Sequence, residues 1–291
     1  MSAQKLVAWF HEVDKHDVGI VGGKGANLGE MTQAGFPVPP GFVVTAASYF
    51  QFIEKAKLAP KINAYLERLD YVNPEALEHT AKTIQHAIIH APIPSAIAGA
   101  IIEHYFKLAF YEELVAKHKA TLVNRIKKFL ISHTTPVAIR SSATAEDLPE
   151  ASFAGQQATY LNVKGEANVV DTVRKAWASL FTPRAIFYRH NQGFDHVKVG
   201  LAAVVQKMIS SASSGVMFTI DPVTNAKDTI VIEAIFGLGE LIVQGAVTPD
   251  HFEVNKHTMA LVKKSIHEQK EYMPGVGTRS IPLRRHLRTK Q

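Results

Sequence analysis

The first half of the chain carries hydrophobic residues at helical spacing. Apolar side chains recur every three or four positions in four stretches, and this period predicts amphipathic helices with one buried face. Glycines at residues 22–25 precede the first helix, and Thr45 is placed to cap the second, which is predicted to end near Pro60. The helical positions are Leu28 and Met31; Ala46, Tyr49, Phe50, Ile53 and Ala56; Leu77, Ala81, Ile84, Ile88 and Ala91; Ile97, Ile101, Tyr105 and Leu108.

The pattern changes to that of strands after residue 135. Val170, Val173 and Trp177 predict one more helix among these strands, and Thr182 followed by Pro183 predicts the start of another. Helices first and hairpin-connected strands later indicate an α+β protein, rather than a doubly wound sheet. The predicted strands lie at residues 136–140, 158–163, 199–209, 215–220, 229–236 and 251–254, and a charged helix or helical linker is predicted at 111–133.

Composition excludes several classes of protein. The 291 residues are 46% hydrophobic and 20% charged, which is typical of a globular protein. The chain has no cysteine, which excludes disulfides, thiolate zinc sites and cysteine catalysis. No apolar run is long enough to span a bilayer and the N-terminus does not resemble a signal peptide, so a cytoplasmic protein without a membrane partner is expected.

The positive charge is concentrated at the C-terminus. Five of the basic residues that give the net charge of +6 lie in residues 279–291, which contain no acidic residue, so the rest of the chain is nearly neutral. A specific nucleic-acid binder needs a clustered basic face on its folded surface. No specific nucleic-acid partner is therefore expected, and the basic tail is interpreted as a solvated end.

The first candidate site is the segment VGGKGANLGEM at residues 21–31. Glycines let a backbone approach a ligand, a helix N-terminus adds partial positive charge, and Lys24 adds a full charge. The segment is not a Walker A loop, because Val18 and Gly25 stand where a glycine and a hydroxyl residue are required. Phosphate binding is one interpretation, and a glycine turn with a solvated lysine is the other.

The second candidate site is the segment from RSSATAED to ASFAGQQ at residues 140–157. Arg140 at the end of an apolar strand can hold phosphate oxygens, while a loop containing Ser141 and Thr144 folds over them. The alternative is a surface hairpin in which Arg140 pairs with Glu146 or Asp147.

The third candidate site lies at residues 204–209, where an apolar strand runs into a hinge. Backbone groups near Gln206 can bind the edge of an adenine base, with Met208 in the apolar slot around it. Methionine beside valines is also typical of ordinary core packing.

The fourth candidate site contains two carboxylates. Glu233 lies in a strand that is expected to be buried, so its carboxylate needs a cation, a metal or hydrogen-bond donors, or else pairs structurally with Lys207 or Arg140. Glu240 follows the glycines of GLGE at 237–240. This segment is not a dinucleotide-binding fingerprint, because Ile242 stands where the third glycine is required.

The motifs at residues 22–31, 38–42 (VPPGF), 140–147, 151–157 and 237–240 together resemble the N-terminal nucleotide-binding domain of the phosphoenolpyruvate synthase and pyruvate phosphate dikinase family. The resemblance covers about residues 5–270. It implies an ATP-grasp fold in which two α+β lobes hold ATP. The implied domain is 1–273, with a helix-rich lobe at about 1–135 and a mainly antiparallel, strand-rich lobe at 136–273; the basic tail at 274–291 is expected to be poorly ordered.

The resemblance also implies roles for single residues. Lys24 and Arg140 match the family's phosphate-holding, catalytic cations. Gly155 and Thr159 match the far side of the phosphate loop, and Gln206 matches a residue beside the base. The complete candidate ATP site is Lys24, Arg140, Ser141, Thr144, Gly155, Thr159, Gln206, Met208, Glu233 and Glu240.

The family's chemistry implies ATP and Mg²⁺ as cofactors. ATP gives its β,γ-phosphates to a histidine on a swivelling domain and AMP remains; the phosphohistidine then phosphorylates pyruvate in a barrel domain, giving phosphoenolpyruvate and phosphate. This step belongs to pyruvate metabolism and gluconeogenesis. Phosphoryl transfer of this kind requires positioning and charge neutralisation rather than a protein nucleophile in this domain.

Several family segments have no counterpart in the chain. The Thr-x-His segment, the pyruvate barrel and the strands with the main magnesium ligands are not found. A truncated dikinase that is inactive alone is expected, with phosphohistidine and pyruvate-binding domains as missing partners. The ATP-binding domain of a rifampicin phosphotransferase and a non-catalytic nucleotide-binding protein are the alternatives.

Overall fold

A computed structural model describes residues 5–109, 135–144, 158–273 and 281–282. The chain divides into two compact units, Met1–Met208 and Ile209–Gln291. The first unit contains β1 (Val7–Trp9), α1 (Val18–Gln33), β2 (Gly41–Val44), α2 (Ala46–Lys55), α3 (Leu58–Leu66), α4 (Pro74–His90), α5 (Ser95–Ala109), β3 (Val137–Ala143), β4 (Thr159–Val163), α6 (Glu166–Ala178), α7 (Pro183–Asn191) and β5 (Leu201–Lys207).

A five-stranded sheet in the order β1-β2-β5-β3-β4 forms the centre of the first unit, and every neighbouring pair is antiparallel. The predicted lobe boundary near residue 135 lies inside this unit, because β3 and β5 join β2 in one sheet. The predicted helix at 111–133 lies outside the described residues.

The two faces of this sheet are buried differently. One face carries Ile139 and Val205 and packs against helices α2 to α6 in the larger core. The other face carries Val43 and Val204 and is covered by α1 through Val21. The strand period of two therefore assigns alternate residues of β3 and β5 to the large core and to α1.

Three predicted helices are confirmed by the buried positions of α4, α5 and α6, where Ile84, Ile88, Ile97, Ile101 and Trp177 are fully buried. Thr182 caps α7 by accepting from the Ala185 amide, 3.2 Å away. The predicted helix end at Pro60 is wrong, because Pro60 lies in the first turn of α3. Proline is tolerated there, since the first turn has no internal partner for its missing N–H.

Arg189 is fully buried in the first unit, and no carboxylate among the described residues shifts its pKa. Its Nε donates to Nδ1 of His196 over 3.1 Å, and its guanidinium lies 5.2 Å from the centre of the Phe181 ring. Within the described residues, Nη1 and Nη2 have no hydrogen-bond partner. Burial lowers the pKa of Arg189 to about 10, so the side chain stays charged at neutral pH. An aromatic face and a neutral imidazole thus replace the anionic partner that a buried cation usually has.

The Arg189 contact predicts a stability that depends on pH. Burial, then the charges of Arg189 and His190, lower the pKa of His196 to about 4, whereas an unfolded histidine titrates near 6.5. The contribution of the neutral His196 to the free energy of unfolding is therefore fully present above pH 6.5 and is lost as the pH falls toward 4. After allowance for the half-exposed ring, this loss is about 1–2 kcal/mol. Urea unfolding at pH 7 and pH 4.5 measures it. His196→Asn, which keeps an acceptor but does not titrate, should show a smaller loss; an equal loss would contradict the assignment.

The described elements of the second unit are β6 (Ser213–Phe218), β7 (Thr229–Phe236), α8 (Glu240–Val243), β8 (Asp250–Asn255), β9 (Leu261–Ser265), β10 (Glu271–Tyr272) and β11 (Ile281–Pro282). Four of these strands form an antiparallel sheet in the order β6-β7-β8-β9. Within the predicted tail, two described residues pair as β11 with β10, and the rest lie outside the described part.

Among the described helices, none is by itself long and apolar enough to cross a membrane. In the part of the chain that the structure describes, one pair of helices, α4 and α5, reaches that length and hydropathy when taken together, and the two are bent by 77° to each other.

Candidate functional site

A kink interrupts α1 at the glycine-rich segment. Gly22 has φ of 71° and ψ of 169°, so the backbone breaks there and a second helical segment follows at residues 23–33. Lys24 lies in the first turn of this second segment and is half-buried. The amides of a first helical turn have no partner within the helix and add partial positive charge. The predicted glycine turn that opens a helix is therefore present, with Lys24 at its start.

Arg140 lies on the sheet face that α1 covers. Its register partners are Val204 of β5 and Thr159 of β4, and Val204 belongs to the core beneath α1. Arg140 is half-buried and Thr159 is exposed. Gln206 lies two residues after Val204 on the same face. The structure thus places Lys24, Arg140, Thr159 and Gln206 on one side of one sheet.

Ser142 joins this face to the glycine turn. It lies two residues after Arg140 and is fully buried. Its hydroxyl donates to the Val21 carbonyl over 2.9 Å and accepts from the Gly25 amide over 3.3 Å. Ser142 is not among the residues predicted to contact ATP, because a serine among small residues carries no distinctive local signal.

The hydroxyls of Ser141 and Thr144 are bonded within the protein. Ser141 Oγ accepts from the Ala158 amide over 2.9 Å, which joins the two ends of the segment between β3 and β4. Thr144 Oγ1 donates to the Gly200 carbonyl over 3.1 Å. Both side chains have internal hydrogen bonds here, and Gly155 lies outside the described residues.

The predicted base-binding residues lie at the end of β5. Gln206 is buried, and its Nε2 donates to the Pro39 carbonyl over 3.1 Å. Met208 is half-buried, and its amide donates to the Pro136 carbonyl over 2.9 Å. Met208 is also the last residue of the first unit, where an apolar strand was expected to run into a hinge.

The two carboxylates lie in the second unit. Glu233 was expected to be buried, and this is wrong: its side chain is 36% exposed and 3.9 Å from Nδ1 of His251. The Glu233 carboxylate is open to solvent, so it does not need the fully buried partner that the sequence led us to expect. Glu240 is the first residue of α8 and accepts from Nε2 of Gln244 over 2.9 Å.

Glu233 lies in a cluster of ionisable side chains on the same sheet face. His251 Nε2 lies 3.0 Å from Glu253, and Lys263 Nζ lies 2.9 Å from the same carboxylate. Lys263, followed by His251, holds the pKa of Glu253 below its usual value. Across the described ranges, no three His, Asp or Glu side chains are grouped to hold a metal ion.

Comparison with known proteins gives a family match. Residues 18–282 match the family described as pyruvate phosphate dikinase, AMP/ATP-binding domain. This range includes every candidate site residue in both units.

Curated relatives from archaea are similar along nearly the whole chain. The chain is 51% identical over 264 residues to a probable phosphoenolpyruvate synthase of Methanocaldococcus jannaschii, covering 91% of the chain and 21% of the relative. It is 48% identical to a phosphoenolpyruvate synthase of Aeropyrum pernix, covering 90% and 30%. It is 44% identical to that of Pyrococcus furiosus, covering 93% and 35%. The chain therefore spans between about a fifth and a third of the length of these relatives.

Proposed function

The chain belongs to the pyruvate phosphate dikinase AMP/ATP-binding domain family, and we propose that it binds ATP as the nucleotide-binding part of a phosphoenolpyruvate synthase. The observation that carries the proposal is the meeting of two cationic segments on one side of a sheet. Lys24 lies on the kinked helix α1, and Arg140 lies on β3, more than a hundred residues later in the chain. Phosphate groups are bound by this combination of a lysine, an arginine and the N-terminal amides of a helix.

We further propose the ATP-grasp fold for this part, with Gln206 and Met208 beside the base. The exposed Thr159 opposite Arg140, and Gly155 outside the described residues, complete the proposed phosphate loop. Ser141, Thr144, Glu233 and Glu240 stay proposed contacts whose side chains have other partners in the unliganded chain.

In the full-length protein, the proposed reaction is the synthesis of phosphoenolpyruvate. ATP would transfer its β,γ-phosphates to a histidine of another domain, and pyruvate would then accept a phosphoryl group, with AMP and phosphate released. The residues of this chain hold the polyphosphate and neutralise its charge, which is most of what such a transfer requires. The names of the archaeal relatives favour this acceptor over rifampicin.

Magnesium would add further neutralising charge when bound to the phosphates. The described residues hold no group of three acidic or histidine ligands, so they do not by themselves fit a complete magnesium site. Charge neutralisation by this chain is accordingly assigned to Lys24 and Arg140, and further ligands are proposed to lie elsewhere in the full-length protein.

Removing either cation should weaken ATP binding. Lys24→Ala and Arg140→Ala are each expected to lower the binding free energy by roughly 1.5–3 kcal/mol, the range for hydrogen bonds to charged groups, or about 10- to 150-fold in affinity. Isothermal titration with ATP measures it. Lys55→Ala is the control, because Lys55 is an exposed lysine on α2, which packs on the opposite sheet face. Unchanged affinity in both variants, with intact circular dichroism, would refute the assignment.

A further inference from the structure

The break in α1 is bridged by a side chain from a distant strand. In an uninterrupted α-helix, the Gly25 amide would donate to the Val21 carbonyl four residues earlier. The Ser142 hydroxyl bonds to both of these groups, accepting from the amide and donating to the carbonyl. Insertion of a side chain into the helical ladder is a known cause of sharp kinks. Ser142 therefore supplies hydrogen bonds to both groups that the kink leaves without their helical partner.

The contact between turn and strand leaves no spare room. A Cβ added to Gly22 would lie 2.3 Å from Ser142 Oγ and 2.4 Å from the Ser142 carbonyl oxygen. Ser142 is itself in register with Ala202 of β5, the central strand of the sheet. The glycine turn thus packs directly on β3, beside the central strand of the sheet.

Lys24 lies between the two ends of this bridge. Val21 and Gly25, the residues bonded to Ser142, bracket it in sequence. Arg140 lies two residues before Ser142 on the same strand face. The backbone of Lys24 and the backbone of Arg140 are consequently held at a fixed separation through one hydroxyl group.

We propose that Ser142 is a positioning residue for phosphate binding, which fixes the glycine turn so that its amides, Lys24 and Arg140 meet the same polyphosphate. This inference rests on the proposed ATP binding. Ser142 acts through the turn rather than by touching the nucleotide, since its side chain is fully buried and both its hydrogen bonds go to the turn.

The test compares two buried serines. Ser142→Ala removes the bridge, whereas Ser48→Ala removes an equally buried hydroxyl that donates to the Leu6 carbonyl over 2.7 Å. Ser142→Ala loses two buried hydrogen bonds and Ser48→Ala loses one, so both urea unfolding curves should shift, that of Ser142→Ala at least as far as that of Ser48→Ala. Only Ser142→Ala should lose ATP affinity, by about tenfold or more, because a small displacement of binding groups is enough for such a loss.

Two further readouts separate positioning from a general loss of stability. The affinity for AMP, which lacks the β- and γ-phosphates, should fall much less than the affinity for ATP in Ser142→Ala. Amide hydrogen exchange at residues 22–29 should become faster in that variant and stay unchanged in Ser48→Ala.

The outcomes distinguish this inference from the proposed function. If the unaltered chain fails to bind ATP, the proposed function falls and the inference falls with it. If the unaltered chain binds ATP and both serine variants bind ATP as tightly as the unaltered chain does, only the positioning role is overturned. Equal exchange rates at residues 22–29 in the unaltered chain and in Ser142→Ala would also overturn it.

Discussion

Replacing Gly22 by alanine is expected to lower the free energy of unfolding of the first unit by about 3–5 kcal/mol, through backbone strain and overpacking together. The φ of 71° and ψ of 169° fall in a region that is essentially restricted to glycine. The new methyl group would also overlap the Ser142 backbone, whose carbonyl carbon would lie 2.6 Å away. Neither problem can be relieved by rotating a side chain, because the backbone itself must move.

Gly19 provides the matched control for this experiment. It lies in the same helix, its φ is not positive, and a Cβ there would meet nothing within 4 Å. Gly19→Ala should therefore leave stability unchanged or raise it by up to about 1 kcal/mol, the helix-propensity difference between the two residues. Urea unfolding followed by circular dichroism compares them. A Gly22→Ala variant within 1 kcal/mol of the unaltered chain would contradict the geometry of the kink.

The second large effect is expected at Trp177, on α6 in the larger core. The indole is fully buried, with ring centres 5.1 Å from Phe52 and 6.1 Å from Tyr49. Trp177→Ala leaves a large cavity and should cost about 3–5 kcal/mol of stability. Circular dichroism during urea unfolding is the appropriate measurement, because the chain contains a second tryptophan that complicates fluorescence.

Trp177→Phe separates packing from hydrogen bonding at the same position. Within the described residues, the indole Nε1 has no hydrogen-bond partner. Phenylalanine removes this unpaired donor and keeps an aromatic ring, so its cost should be only about 1–2 kcal/mol. A phenylalanine variant as unstable as the alanine variant would show that the indole N–H does contribute a bond.

The long helices were predictable because their apolar positions repeat with the helical period over four or five turns. The short strands β1 and β2 were not, because three or four residues carry too little pattern to reveal a partner distant in sequence. Thr45 was correctly placed at the N-terminus of α2, but its hydroxyl donates to the Lys5 carbonyl instead of capping the helix. Tertiary contacts decided these details.

In the candidate site, too, local features could be predicted from the sequence and those set by tertiary contacts could not. The glycine turn and Arg140 could be found from residue type and local spacing. The burial of Glu233 could not, because it depends on what covers the second sheet. Ser142 was hidden for another reason: its two bonds cross more than a hundred residues, and a serine among small residues has no distinctive local signal.

The position of β5 has a consequence for synthesis on the ribosome. It is the central strand of the first sheet, yet it follows all the other strands of that sheet in the chain. A nascent chain that ends before residue 201 lacks the strand that pairs with both β2 and β3. Each of those strands then has an unpaired edge, which invites association with other chains. Emergence of β5 is therefore the event that commits the whole unit to its native pairing, and chaperones would be needed most just before it.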